Sequence, residues 1–178
     1  AYGHQHVLML RGTRDNWRNA GRPWTTDLPS VVASMYTLPK AEATQLMSLD
    51  MLQDTIGTGD EPIIVDVRSD AEFAGERFWP SGATEGAGRP GHIPGAVHLH
   101  ADLLRTTEGA FKNAAELRQL FQDRGVIPER SIVTYCTIGI RASEVAMILK
   151  YLLGYPDARV YDGSWAEWGT RVETSIEI

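Results

Sequence analysis

At 178 residues and 43 % hydrophobic content, the chain is long enough to bury one good core, perhaps with an appendage. Its formal net charge of −6 argues against nucleic acid as the main partner, which needs a basic face, and no apolar run approaches membrane-spanning length, so no membrane partner is expected. A single cysteine excludes an internal disulfide framework and a multi-thiolate zinc site, and makes a reducing cytoplasm the default compartment.

Residues 1 to 40 stand apart. Val7-Leu-Met-Leu10 reads as a strand, followed by Arg11-Gly12-Thr-Arg-Asp-Asn-Trp17 and a polar stretch punctuated by Pro23, Pro29 and Pro39, which reads as a linker. The other end of the chain repeats the first part of this pattern. Val160-Tyr-Asp-Gly163-Ser-Trp-Ala-Glu-Trp168 also runs from a short strand to Gly, four residues, and Trp. Residues 1–40 are therefore expected to be the tail of a preceding domain plus a linker, and 41–178 a complete domain. Val7, Leu8, Met9, Leu10, Trp17 and Trp24 are too apolar to stand in water, so the tail is expected to dock on the domain or on a second chain, as in a homo-oligomer.

In the complete domain, Leu46-Met47 fits a short strand, with Ser48 capping a helix through about Ile56. Ile63–Val67 is a near-continuous apolar strand, as in a sheet covered on both faces. Asp66 interrupts it and must be paired; Arg68 is the nearby partner, and the pair is expected to support architecture more than chemistry. A Gly-rich excursion from Ala74 to Pro90 follows. It lacks the Gly-Lys-Ser/Thr of a phosphate loop and reads as a surface loop from which Arg77 and Arg89 can reach a cleft.

Gly91-His-Ile-Pro-Gly-Ala96 is a turn feeding the strand Val97-His-Leu99, and His92 reads as a turn residue. His98 and His100 share a strand face, but two imidazoles without a third ligand make a poor metal site, so no metal is expected. Asn113 with Glu116 is a reciprocal cap for a helix whose apolar face is Leu117, Leu120 and Phe121, closed by Gly125. Ile132, Val133 and Tyr135 mark a buried strand. From Arg141 the period changes, and Val145, Ile148, Leu149 and Leu152 fall on one helical face. Ala158–Tyr161 supplies the last strand, with Trp165 and Trp168 as core and lid residues. Strands alternating with helices imply a parallel, three-layer α/β domain with its ligand site at the C-terminal strand ends.

Between the Tyr135 strand and the next helix, the loop runs from Cys136 to Arg141. Such a loop aims its backbone N–H groups at one spot, and the helix N-terminus adds partial positive charge, which favours a thiolate. Gly139 permits a tight path, and Arg141 brings a fork-shaped cation suited to an oxyanion. The alternative is ordinary α/β anatomy with a small buried hydrophobe at Cys136; spacing alone leaves both open.

The strand–Cys-x4-Arg–helix loop resembles the active-site loop of the rhodanese sulfurtransferases. Three further segments agree in order: Asp66-Val-Arg68-Ser-Asp-Ala-Glu72-Phe, Gly91-His-Ile-Pro-Gly-Ala96 and Tyr161-Asp-Gly-Ser-Trp-Ala-Glu-Trp168. The resemblance covers roughly residues 45 to 178. It implies a rhodanese-like α/β domain with a five-stranded, mostly parallel sheet, and the long 74–90 excursion looks like the second domain of tandem enzymes. It also implies a cofactor-independent sulfurtransferase in which Cys136 is the nucleophile. Arg141 and the loop residues Thr137, Ile138, Gly139 and Ile140 would bind a small anionic sulfur donor such as thiosulfate, with Asp66, Arg68, Arg77 and Arg89 in support. The acceptor would be a thiol or cyanide. Thr137 departs from tandem enzymes with a basic residue after the cysteine, and the Gly139-Ile140-Arg141 ending departs from mercaptopyruvate enzymes. Rival readings are a 3-mercaptopyruvate sulfurtransferase, a Cys-loop phosphatase or arsenate-reductase-like enzyme, which places five residues between Cys and Arg where this loop has four, and a non-catalytic interaction module, which usually lacks the cysteine.

Overall fold

The computed structural model describes residues 7, 8, 10, 12–33, 35, 37, 45–84 and 86–178. Five strands form one sheet in the order β1-β5-β4-β2-β3: β1 (Leu46–Met47), β2 (Ile63–Asp66), β3 (Val97–His98), β4 (Ile132–Tyr135) and β5 (Ala158–Tyr161). Every pairing is parallel. β4 lies at the centre, with Asp66 of β2 beside Tyr135 and Thr134 beside Val160 of β5.

Alternation along the strands sorts side chains onto two apolar faces, each of which needs a helical cover. Val65, Ile132 and Cys136 face one way, beneath α4 (Ala114–Gln122) and α5 (Ile140–Met147). Ile64, Val133 and Tyr135 face the other, beneath Leu52 of α2 (Leu49–Gln53) and Trp165 and Trp168 of α6 (Ser164–Trp168). This is the expected three-layer domain. Asn113 caps α4 with Glu116 reciprocating, and Ser48 caps α2, which ends at Gln53, short of Ile56.

The expected apolar stripe of α5 holds for Val145, Ile148 and Leu149 but fails at Leu152, which is 51 % exposed while Leu153 is 6 % exposed. A π-helical turn over Ile148–Leu152 explains the slip: Leu153 N–H donates five residues back to Ile148 O, adding one residue to the turn and rotating Leu153 inward.

The expected strand at residues 7–10 does not form at Val7, Leu8 or Leu10; Met9, Arg11 and Pro39 lie outside the described residues. Among the described residues, no strand of the sheet pairs with Val7, Leu8 or Leu10, so their backbone gains no ladder. Of the side chains expected to dock on the domain or on a second chain, Leu8 is 98 % exposed, Val7, Leu10 and Trp24 are also exposed, and Trp17 is half-buried. A short helix α1 (Arg14–Asn19) follows, capped by Thr13, and Asn16 Nδ2 donates to Glu108 O at 2.9 Å.

Candidate active site

Cys136 follows the last residue of the central strand and is 1 % exposed. Two long-range bonds fix its backbone: its N–H donates to Ser164 Oγ at 3.2 Å, and its carbonyl accepts from Trp165 N–H at 2.9 Å. Ser164 is itself held in a left-handed conformation, φ 53°, with its hydroxyl donating to Tyr161 O. The turn after β5 thus clamps the start of the loop.

The loop then tightens at Gly139, φ 84°, the N-cap of α5. A Cβ there would lie 2.6 Å from Asp162 Oδ1 and 2.9 Å from Asp162 O, so both conformation and space demand glycine. Ser143 N–H is the amide that returns to Gly139 O, and the preceding amides at the helix start are free of intrahelical partners, as at any N-terminus. Thr137, Ile138, Gly139 and Ile140 form the strand-to-helix turn that follows Cys136. Thr137 is buried, whereas Ile138 and Ile140 stand exposed at the lip.

Arg141 is near Cys136 as expected, but its fork is not open. It grips Glu72 with two hydrogen bonds, Nη1 to Oε2 at 3.0 Å and Nη2 to Oε1 at 2.9 Å. Thr137 Oγ1 joins them, donating to Glu72 Oε1 at 2.6 Å and accepting from Arg141 Nη2 at 2.7 Å. Glu72 belongs to α3 (Asp70–Phe73), where its Oε2 also accepts from Ser69 N–H and Oγ in a capping box. Burial alone would raise the Glu72 carboxyl, but hydrogen bonds from Arg141, Thr137 and Ser69 outweigh it and hold the group at about 2. Burial likewise opposes the Arg141 charge, and Glu72 and Cys136 more than compensate, raising its pKa. The sequence reading named Arg141 and Thr137 but missed Glu72 and Ser164. The Ser69-x-x-Glu72 spacing of a capping box was the available signal for Glu72; Ser164 carried none.

The remaining named residues divide. Asp66 and Arg68 form a fully buried pair, Nη2–Oδ2 2.6 Å, with Tyr135 Oη donating to the same carboxylate and the guanidinium 4.6 Å from the Trp165 ring centroid. They brace the sheet end, as expected of an architectural pair. Arg77 Nη2 donates to Ser69 Oγ at 3.2 Å, which ties it to the Glu72 network. Arg89 bonds Thr174 Oγ1 at 2.6 Å and Arg171 O, so it clamps the 74–90 excursion to the segment after α6. His98 stacks on Phe73 and bonds Arg68 O, and His100 faces Asp102, so the two imidazoles serve separate local contacts.

The profile of the rhodanese-like domain matches residues 48–171. The sulfur carrier protein TtuD of Thermus thermophilus is 41 % identical over 177 residues, covering 98 % of this chain and 62 % of that protein. A "Putative thiosulfate sulfurtransferase" of Haloferax volcanii is 38 % identical over 176 residues, 99 % of this chain and 61 % of its own length. The chain thus spans about three fifths of these relatives. Among solved structures, the anaerobic ergothioneine biosynthesis enzyme of Chlorobium limicola, in complex with trimethyl histidine, superposes with a TM-score of 0.81 at 26 % identity, over 99 % of this chain and 42 % of that one. A parallel five-stranded sheet, a cysteine at the end of its central strand and a match across most of the chain lead to one family: this chain belongs to the rhodanese-like domain family.

Proposed function

We propose that the protein is a thiosulfate sulfurtransferase working through a persulfide on Cys136. The observation that carries the reading is the position of Cys136, at the end of β4 inside a turn of amides that opens α5. Its thiolate attacks the outer sulfur of thiosulfate, the donor's S–S bond breaks, and sulfite leaves with the electron pair. The resulting persulfide is attacked at its outer sulfur by a thiolate or cyanide, and Cys136 departs as thiolate. The amides hold negative charge on sulfur in both half-reactions, and neither step needs a metal or organic cofactor. The names of the relatives support this choice of donor, and a reducing cytoplasm would keep the thiol available.

Intact mass spectrometry after incubation with thiosulfate tests the reading. One added sulfur on wild type and none on Cys136→Ser is the expected result; an unmodified wild type overturns it. Turnover of p-nitrophenyl phosphate in place of sulfur loading would favour the phosphatase-like alternative.

We also infer that residues 1 to about 28 are the tail of a preceding rhodanese domain. The exposed Leu8, Trp24, Leu28, Val31 and Val32 support a partner surface outside the described domain, either that preceding domain or a second copy.

A further inference from the structure

Glu72 is buried beyond what its local task requires. A capping box needs one carboxylate oxygen, and the protein contains an exposed example for comparison. Glu116 bonds the Asn113 N–H at 2.9 Å in α4 while facing solvent. Glu72 makes the same reciprocal bond to Ser69 with Oε2, yet it is 0 % exposed, and Oε1 is given to Thr137 and Arg141. Burying a carboxylate costs several kcal/mol unless it is well paired, so the second set of bonds calls for its own explanation. Their endpoints supply one. Thr137 directly follows the nucleophile, and Arg141 is the cation of the loop; both are tied to the same oxygen.

We propose that Glu72 is a positioning residue for the sulfur chemistry, acting through Arg141 and Thr137. It fixes the loop and offsets the charge of the guanidinium that faces Cys136, so that the anionic sulfur meets a paired cation and not a free one. A free cation would hold a persulfide anion more firmly and make the thiolate a poorer nucleophile. A neutral, rigid pair keeps both half-reactions open. The inference rests on Cys136 as the sulfur-bearing group. Among the described residues, the charged side chains on the elements around the loop include Arg141 from α5, Glu72 from α3, Arg77 through Ser69, Asp162, whose Oδ1 lies against Gly139, and Glu167 from α6, which accepts from Tyr161 Oη. The Asp66–Arg68 pair lies under Tyr135.

Because Cys136 is the only cysteine, its alkylation by iodoacetamide as a function of pH reads this site without background. Glu72→Gln leaves Arg141 uncompensated and should move the midpoint down by about 1 pH unit. The double variant Glu72→Gln/Arg141→Gln removes both charges and should return the midpoint to that of the wild type. If Glu72 is only a helix cap, the single variant keeps the wild-type midpoint and the double variant moves upward through loss of Arg141; either result overturns the proposal. Should Glu72→Gln fail to melt cooperatively, the double variant decides alone, an unchanged midpoint supporting the proposal and an upward shift refuting it. Sulfur loading measured by mass on the wild type separates this test from the functional reading. A wild type that takes no sulfur while the midpoints move as expected ends the sulfurtransferase reading but not the charge pairing.

Discussion

The segments Gly12–Trp17 and Gly163–Trp168 share a sequence pattern and a local structure, yet differ in almost everything else. Each Gly leads into a short helix, α1 or α6, and each matching tryptophan places its indole N–H on a carbonyl downstream: Trp17 on Pro23 O, Trp168 on Ser175 O. But α1 buries no residue, whereas α6 buries Ser164, Trp165 and Trp168. The difference lies in what precedes each helix. β5 pairs with β4 and β1 and delivers α6 onto a sheet face; among the described residues, Val7, Leu8 and Leu10 pair with no strand. Local pattern makes the helix, and a sheet beneath it makes a core element that can hold an active-site loop.

The sharpest way to test that contrast is to delete the two indoles. Trp168→Ala should destabilise by about 3–5 kcal/mol in urea unfolding, and Trp17→Ala by no more than about 0.5 kcal/mol. Equal losses would mean that the N-terminal helix is packed in solution.

Charge pairs offer the same contrast. Arg18–Asp15 in α1 is exposed on both sides at 3.7 Å and should contribute next to nothing, while Glu72–Arg141 should register in acid. The Glu72 carboxyl sits at about 2 in the folded chain against an ordinary 4.5, so the unfolded state binds the extra proton first. The stability this provides, about 3 kcal/mol, is fully present above pH about 4.5 and is lost as pH falls towards 2. Unfolding of wild type and Glu72→Gln followed from pH 6 to 3 should give a shallower acid loss in the variant; parallel curves would show that the pair carries no such linkage.

A smaller effect is expected from the hydroxyl that joins α6 to the loop. Ser164→Ala leaves the Cys136 N–H without its acceptor and should cost about 1–3 kcal/mol, with slower sulfur loading. Loading at the wild-type rate would place Ser164 outside the machinery.

Removing residues 1–28 should change the monomer's stability least, by under about 1 kcal/mol, since the described links to the domain are the Asn16–Glu108 bond and the packing of Thr13 beside Gly109. Sedimentation of the truncated and full chains tests the remaining role. A change in oligomeric state would identify the exposed apolar segment as a contact between copies, and an unchanged state would overturn that role.

Wherever the physics is local, the sequence by itself determined the outcome. The caps at Ser48 and Asn113, the apolar strands Ile63–Asp66 and Ile132–Tyr135, and the strand–loop–helix around Cys136 follow from periodicity and capping within a few residues. Tertiary structure decided what depends on distant partners. Arg141 reads as an open anion fork until the fold brings it to Glu72, 69 positions away, and Cys136 acquires its clamp from Ser164, 28 positions away. Leu152 fits the helical stripe until one π turn, closed by packing, rotates Leu153 into the core in its place. Val7, Leu8 and Leu10 have the composition of a strand yet lie outside the sheet, because a strand is stabilised by its ladder and not by its own sequence.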